Sequence, residues 1–417
     1  MTIQFGAGKK IIYKEESELG VDPGASSAQE LRSVSSDLGT NPATYQSNER
    51  NPNQQINDMR LGLRQVGGTI RGELSCGTYK DFISAAVRKT WAAGGATSAA
   101  TNISSTAGAL GTQKISRAAG SFLTDGFKRG DAIAMTGWGT TMAVNNNRNY
   151  IILDVTALDM YLAEVQDLGY ALSDTARTIV TLAAGDSVAI ASRGYKAWVP
   201  QTGHIAKSYT IEHQFTDIGR HHRFNGCRVA GIDIGLPATG LSTFDTRVLG
   251  LRMQRATSAY FTSPTAATTT GVMAASNGLL TYNGGVSGLV TGATIRVDDS
   301  ASVGPVVGSN YSPDVFVGRI IVSGQFTAYF QDDSITVDAL NEAAPSLVVA
   351  LTENNLPNSN IFVVNIPKLK MGNATPNDVE GGLIITAPFT AVFQGAGGSG
   401  NHDIATTIVF QDSTITS

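Results

Sequence analysis

The sequence predicts a mainly β fold in which a helix packs on one sheet and a small β domain interrupts the main one. Apolar and polar residues alternate in several segments, and a period of two is the pattern of a half-buried strand. Charged residues make up only 15% of the chain, against a usual share of about a quarter. Gly, Ser, Thr and Ala fill the difference, which favours strands joined by tight turns.

The clearest strand pattern covers residues 317–330. Its apolar or glycine positions are Gly318, Ile320, Val322, Gly324, Phe326, Ala328 and Phe330. Most alternate positions carry polar groups, so one face of the strand is expected to be buried and the other polar. A strand of this length needs partners for its backbone and for its apolar face. Residues 69–75, 209–215, 227–236 and 383–393 show similar alternation and supply those partners.

Residues 1–110 are predicted to form the first part of the main β domain, with candidate strands at residues 10–14 and 31–38. Residues 46–67 contain few apolar side chains and several Asn and Gln. A long structureless loop inside a compact domain is uncommon and usually functional, or is ordered by a partner. We therefore expect an intersubunit loop, with disorder as the alternative. Its candidate contact residues are Asn48, Arg50, Asn51, Gln54, Asn57, Arg60 and Arg64.

The helical period is clearest in residues 78–91. One stripe of this segment carries the packing residues Tyr79, Phe82, Ile83, Ala86 and Val87. Thr78 is predicted as the N-cap, and Asp81 lies in the first turn, near the positive end of the helix dipole. Gly94 and Gly95 are expected to end the helix, which should pack on the sheet.

Residues 111–200 are predicted to form the inserted β domain, since they hold several short apolar runs separated by turn signals. The flanking segments have the composition of linkers. The strand pattern of the main domain returns in residues 201–417, its second part. Domain insertion is tolerated where the ends of the host chain lie close together at a surface.

Motifs that carry chemistry are weak in this chain. A GxGxxG pattern at Gly395, Gly397 and Gly400 precedes a strand, whereas a dinucleotide site needs a helix, so a hairpin turn is expected. Asp332 and Asp333 follow the central strand and are typical of a solvated turn. There is no nucleophile elbow and no metalloprotease motif. The sequence predicts no catalytic residue and no enzyme activity.

Three histidines are clustered, at His213, His221 and His222. Adjacent histidines in a strand point to opposite faces, and no cysteine or carboxylate stands beside them at ligand spacing. We therefore predict no metal site and no cofactor.

The tripeptide Arg129, Gly130 and Asp131 is known from integrin ligands. Here it lies between two short apolar runs. A tight turn is therefore the expected role of these residues.

The bulk composition narrows the class of protein. The net charge of −4 argues against tight binding of nucleic acid, which needs clustered Lys and Arg. No apolar run is long enough for a membrane span, and the first residues lack the apolar core of a signal peptide. We expect a chain made in a cytoplasm, with Cys76 and Cys227 as buried apolar residues.

Several segments together resemble the tail tube proteins of long-tailed, non-contractile bacteriophages, the siphophage type. They are YKEESELGVDP, SNERNPNQQINDMRLGLRQVGGTIRGELSCGTYKDFISAAV, SFLTDGFKRGDAIAMTG, SYTIEHQFTDIGRHHRFNGCRV and VGSNYSPDVFVGRIIVSGQFTAYFQDDS. Their order and spacing match the family over most of the chain. Residues 255–285 and the last twenty are covered least well.

The resemblance implies a β-sandwich or barrel with a flanking α-helix. It also implies a structural virion protein, assembled in the host cytoplasm, whose hexameric rings stack into a hollow tube. The implied partners are other copies of the chain, the tape-measure protein, the tail terminator, the baseplate or tip proteins and double-stranded DNA that passes without specific binding. Residues 46–67 would reach a neighbouring subunit, and residues 79–91 would form the outer helix. The inserted domain would project outward.

The tube lumen needs a polar wall, and the central strand offers one. We expect Arg319, Ser323, Gln325 and Thr327 to face the lumen because their alternates are apolar. One alternative is another ring-forming tail component, a terminator or baseplate hub. A second is a carbohydrate-binding adhesin that uses the inserted domain, where Trp138 and Trp198 could stack on sugars.

Overall fold

The computed structural model describes residues 5–106, 113–139, 146–165, 187–287, 290–377 and 382–416. The prediction of a mainly β fold is confirmed. The two α-helices are α1 (Lys80–Val87) and α2 (Ser334–Leu340). A 3-10 turn at Gly6–Gly8 precedes the first strand.

The strands are numbered in chain order, and the consecutive strands β7 to β12 form a sheet of their own. The first thirteen are β1 (Lys9–Glu15), β2 (Gln29–Leu31), β3 (Ser35–Ser36), β4 (Gly39–Gln46), β5 (Met59–Glu73), β6 (Ala92–Ala93), β7 (Ile103–Thr106), β8 (Gln113–Arg117), β9 (Ala132–Thr136), β10 (Tyr150–Val155), β11 (Asp159–Glu164), β12 (Ala189–Ser192) and β13 (Tyr195–Trp198). The remaining strands are β14 (Tyr209–Phe215), β15 (Arg220–Pro237), β16 (Thr243–Gly250), β17 (Arg252–Ala256), β18 (Gly278–Tyr282), β19 (Gly285–Val286), β20 (Val290–Asp298), β21 (Ser302–Val303), β22 (Val315–Phe316), β23 (Ile321–Tyr329), β24 (Leu347–Thr352), β25 (Ile361–Ile366), β26 (Leu369–Met371), β27 (Thr375–Pro376), β28 (Ile384–Ala391) and β29 (Val409–Asp412).

In the largest sheet, the long strand β15 pairs with two different sets of strands along its length. Its first half pairs with β14 and β17, and β14 continues to β1 and β2. Its second half pairs with β16 on one side and β20 on the other. We call β5, β16, the second half of β15, β20, β23 and β28 the polar-faced sheet, because each presents polar side chains on the face away from the core.

Glycines allow β15 to change partners. At Gly226, φ is +62°, a conformation that glycine adopts readily. The register with β16 slips between Val229 and Gly231, which marks a bulge. A Cβ at Gly231 would lie 2.4 Å from the carbonyl oxygen of Val297. The bulge therefore requires a residue without a side chain.

A seven-stranded sheet, in the order β19-β18-β24-β25-β29-β13-β6, forms the middle layer. All residues of β24 and β25 are buried. Val349 and Leu351 share a core with α1 and the polar-faced sheet. Val348 and Ala350 point the other way, into a second cluster with the next layer. The continuous burial follows from having a layer on each face.

The third layer is a six-stranded sheet in the order β12-β9-β10-β11-β8-β7. Ile151 and Leu153 pack against the seven-stranded sheet, whereas the opposite face has its own core around Phe122, Phe127 and Trp138. This sheet includes β7, before the predicted insertion at residues 111–200. It excludes β13, which pairs with β29 and β6.

Parts of the predicted inserted domain lie outside the described residues, namely 111–112, 140–145 and 166–186. The described residues of this predicted domain form strands β8 to β12 of the six-stranded sheet and strand β13 of the seven-stranded sheet.

The prediction of an irregular loop over residues 46–67 is wrong for much of that segment. Residues 59–67 belong to β5, which forms a hairpin with β4. Only residues 47–58 connect the two strands. The pattern was missed because the outer halves of both strands are exposed on both faces, so no apolar alternation marks them.

The predicted ends of the first helix are also wrong. Thr78 does not cap α1, since its hydroxyl forms hydrogen bonds with Ser75 Oγ at 2.7 Å and with Thr268 Oγ1 at 2.5 Å. The helix ends before Gly94, at Arg88, where φ is +56° and the main-chain N–H bonds back to Ser84 and Ala85. A local hydrogen-bonding network and a left-handed residue override the capping pattern.

Candidate functional site

The outer face of the polar-faced sheet is the first candidate surface. On β23 the side chains of Val322, Phe326 and Ala328 are buried, while Gln325 is exposed and Ser323 and Thr327 are half-buried on the other face. This is the alternation that the sequence predicts. Arg319 is exposed but precedes the strand, so its direction does not follow from that alternation.

Polar positions on neighbouring strands are in register with those on β23. One cross-strand row consists of Arg71, Asp245, Asp233, Arg296, Ser323 and Thr390. Directly opposed side chains on one face of a sheet interact. The row therefore extends a continuous polar surface over six strands.

Two arginines and two aspartates on this face form an ion-pair network. Arg247 lies 3.1 Å from Asp233 and 2.9 Å from Asp298. Arg296 lies 3.6 Å from Asp233 and 3.2 Å from Asp298. The sequence reasoning missed this network. The sequence pattern that could have indicated it is the alternation of charged residues with Val or Ile in these strands. That pattern does not show which charges are neighbours, because this depends on the strand register.

Two carboxyl groups on this face, Asp298 and Asp245, have shifted pKa values. Burial raises the pKa of Asp298, but the N–H of Ser300 and the Arg247 guanidinium outweigh it and hold that pKa below its usual value. Burial raises the pKa of Asp245, against the opposing field of Arg71 and with help from Asp233. The surface therefore holds charges that are already paired with one another.

The β4–β5 hairpin is the second candidate surface. Every residue from 41 to 46 and from 52 to 61 is exposed. Large apolar side chains lie among them: Tyr45, Ile56, Met59 and Leu61 are 59%, 64%, 54% and 51% exposed. Adjacent exposed apolar residues of this kind commonly mark an interaction surface.

The predicted contact residues divide between the two parts of this hairpin. Those in the connection, Asn48, Arg50, Asn51, Gln54 and Asn57, are exposed or half-buried, and Arg60 and Arg64 are exposed on β5. Arg60 pairs with Asp58 at 2.8 Å.

Helix α1 packs its apolar face into the core that lies under the polar-faced sheet. All five predicted packing residues, Tyr79, Phe82, Ile83, Ala86 and Val87, are at most 2% exposed. Tyr79 stacks on Phe244 with ring centroids 4.4 Å apart, and Phe82 contacts Tyr13 at 4.8 Å. The apolar stripe identified in the sequence is the buried face of the helix.

The turn before β9 fastens the six-stranded sheet to the glycine-rich segment near the end of the chain. Lys128 Nζ donates hydrogen bonds to the carbonyl oxygens of Gly398 and Asn401, at 2.8 and 2.6 Å. Arg129 donates two hydrogen bonds to the Asp403 carboxylate. The glycine pattern thus presents carbonyl oxygens to a cation, whereas a phosphate site presents N–H groups. Asp131 is 2% exposed, so the tripeptide is not displayed as a ligand.

The clustered histidines are structural. His213 and His222 are paired across β14 and β15, and burial lowers the pKa of His213 to about 3. His221 Nδ1 lies 4.0 Å from Glu212 Oε1. Among the described residues, no group of three His, Cys, Asp or Glu side chains could hold a metal ion.

The two tryptophans considered as sugar platforms do not present free rings. Trp138 is 4% exposed in the core of the six-stranded sheet. Trp198 lies on β13 with Lys89 Nζ 4.1 Å from its ring centroid. Cys76 and Cys227 are both free and buried, as predicted.

Comparison with known proteins gives one family. A family model described as phage tail tube protein matches residues 6–391. No curated protein matches the chain. Within the described ranges, neither helix is long and apolar enough to cross a membrane. Since the match covers most of the sequence and the fold is mainly β, the chain belongs to the phage tail tube protein family.

Proposed function

We propose that this tail tube protein forms hexameric rings that stack into a hollow conduit for DNA delivery, without catalysis. The observation that carries the proposal is the order of the three layers. The polar-faced sheet lies on one side of the seven-stranded sheet, and the six-stranded sheet lies on the other. A polar face that lines the lumen would place the six-stranded sheet outside the tube, where an inserted domain can project.

The charges of the polar face fit a lumen that lets DNA slide. The charged residues on this face include the arginines Arg71, Arg247 and Arg296 and the carboxylates Glu73, Asp233, Asp245 and Asp298. Tight phosphate binding requires unpaired cations. Here Arg247 and Arg296 are engaged by carboxylates of the same face. We infer that Ser323, Gln325 and Thr327 belong to this lumen wall, together with Arg319 at its edge.

The proposed partners are those that the tail tube family implies. The β4–β5 hairpin contacts an adjoining subunit through its exposed apolar side chains and through residues 47–58. The tape-measure protein occupies the lumen during assembly in the host cytoplasm, and DNA replaces it. Tail terminator and baseplate or tip proteins close the ends of the stack.

Two other functions are the alternatives to this proposal. A terminator or baseplate hub would form rings that do not stack. An adhesin would bind glycans through the predicted inserted domain, residues 111–200, but Trp138 is buried and Lys89 lies over the ring of Trp198, so neither candidate sugar platform presents a free ring.

Cysteine labelling of assembled particles tests the lumen assignment. Gln325→Cys places a thiol on the polar face, and Leu158→Cys places one on the six-stranded layer, where Leu158 is 45% exposed. Both native cysteines are buried and give low background. We expect electron microscopy to show hollow tubes with sixfold end views. In these tubes a bulky maleimide should label Leu158→Cys but not Gln325→Cys. Equal labelling of both sites in tubes would contradict the lumen assignment, and rings without stacks would favour a terminator or hub.

A further inference from the structure

A groove of about 490 Å³ lies at the base of the β4–β5 hairpin. Its apolar side chains are Pro42, Leu61, Met253 and Tyr311, and its cations are Arg64 and Arg255. Both arginines are exposed, and neither forms an ion pair with another residue in the described part of the chain. The groove therefore combines an apolar floor with free positive charge.

Helix α2 has the opposite character. Val337 and Leu340 on this helix are 46% and 78% exposed. Asp332, Asp333 and Glu342 flank them and are exposed. None of these three carboxylates pairs with a cation within the described ranges. Lys370, which lies close, donates to the main-chain oxygen of Glu342 and not to its carboxylate.

The two surfaces lie at opposite ends of the strands of the polar-faced sheet. Helix α2 follows Tyr329, at the end of β23 that is aligned with Val290 of β20. The groove lies beyond the other end, where Val66 of β5 pairs with Gly250 of β16. A strand of about eight residues spans about 26 Å. The helix therefore cannot reach the groove of its own chain, and only a second copy can bring them together.

We infer that α2 of one copy docks into the hairpin groove of another and that this contact joins stacked rings, an inference that rests on the proposed function. The carboxylates of α2 complement Arg64 and Arg255, while Val337 and Leu340 cover the apolar floor. The contact is head-to-tail, so repeating it builds an open stack. Strand ends point toward the openings of a barrel, whereas sheet edges are the surfaces that join neighbours within a ring.

Cross-linking between two full-length variants tests the contact directly. Leu340→Cys is mixed with Leu61→Cys under assembly conditions and treated with a short bismaleimide. Both native cysteines are buried, so the new thiols react selectively. We expect a cross-linked dimer in the mixture. The matched control pairs Leu61→Cys with Leu356→Cys, another exposed leucine position, at 61% exposure on the loop after β24, and should give no cross-linked dimer.

Charge reversal tests the complementarity. We expect Arg64→Glu/Arg255→Glu and, separately, Asp333→Arg/Glu342→Arg to reduce stacking at least about tenfold, since like charges would then face each other. The chain that carries all four substitutions should stack again, which a general folding defect would not allow. Circular dichroism checks that each variant is folded.

The outcomes separate this inference from the proposed function. Tubes that form without the cross-link and tolerate both reversals would overturn the docking contact alone. Cross-linked single rings would overturn its role in stacking. Open cross-linked chains without rings would support the contact and overturn the ring proposal. Protein that neither assembles nor cross-links would contradict both.

Discussion

Lys196 Nζ lies 2.8 Å from Asp131 Oδ2, and the two side chains are only 4% and 2% exposed. The pair joins β13 of the seven-stranded sheet to the turn before β9 of the six-stranded sheet. Burial raises the pKa of Asp131, and Lys196 opposes that shift. The connection between these two layers thus depends on a buried pair of charges as well as on apolar packing.

Removing one member of this pair should be costly. We expect Lys196→Met to lower the free energy of unfolding by about 3–5 kcal/mol, because Asp131 would remain buried without its partner. Lys196→Met combined with Asp131→Asn should cost less than the single change. Urea denaturation of the wild type, Lys196→Met, Asp131→Asn and the double variant measures this coupling. The exposed pair of Arg60 and Asp58 is the control, and Arg60→Met should cost less than about 1 kcal/mol. An equal loss of unfolding free energy in Lys196→Met and Arg60→Met would contradict a stabilising role for the buried pair.

Gly324 should not tolerate a side chain. A Cβ at this position would lie 2.1 Å from the carbonyl oxygen of Thr294 and 2.7 Å from Cζ of Phe389. We expect Gly324→Ala to destabilise the fold by about 1–3 kcal/mol, as overpacking does. Thermal unfolding measures the effect. Gly6→Ala is a weaker perturbation because no atom lies within 4 Å of its Cβ position and its φ is not positive, so an equal loss there would refute the steric explanation.

His213 should make the fold sensitive to acid. Its pKa is about 3 in the folded protein, because burial, Lys9 and His222 all disfavour the charged ring. The unfolded chain binds a proton near pH 6.5, so stability is lost as pH falls from about 6.5 toward 3. We expect His213→Phe to reduce this loss, on the order of a few kcal/mol at the lowest pH. Urea midpoints across this range test it, and an unchanged pH slope in His213→Phe would contradict it.

Asp299 should give the stability of the fold a pH dependence opposite to that from His213. Burial raises its pKa to about 7, although Arg88 lies 3.2 Å away and opposes the shift. The folded state therefore holds a proton that the unfolded state has lost, and stability from this group falls as pH rises from about 4 to 7. Asp299→Asn removes that dependence, so its stability relative to the wild type should increase between pH 5 and pH 8. A relative stability that stays constant or decreases would contradict the shift.

The alternation of residues 321–329 and the apolar stripe of α1 were predictable because burial of one face follows from local periodicity. The hairpin strands β4 and β5 were not, since their outer halves are exposed on both faces and lack that periodicity. The end of α1 was misplaced because Arg88 adopts a left-handed conformation, which glycine usually marks.

Local patterns in the amino-acid order were enough to predict a mainly β chain, a two-faced strand within residues 317–330 and a resemblance to tail tube proteins. These properties reside in short-range periods and ordered motifs. The sharing of Asp233 and Asp298 by Arg247 and Arg296, and the position of α2 and the groove beside Arg64 at opposite ends of one sheet, became visible in the folded chain alone. Both depend on strand register, which sets contacts between residues far apart in the chain.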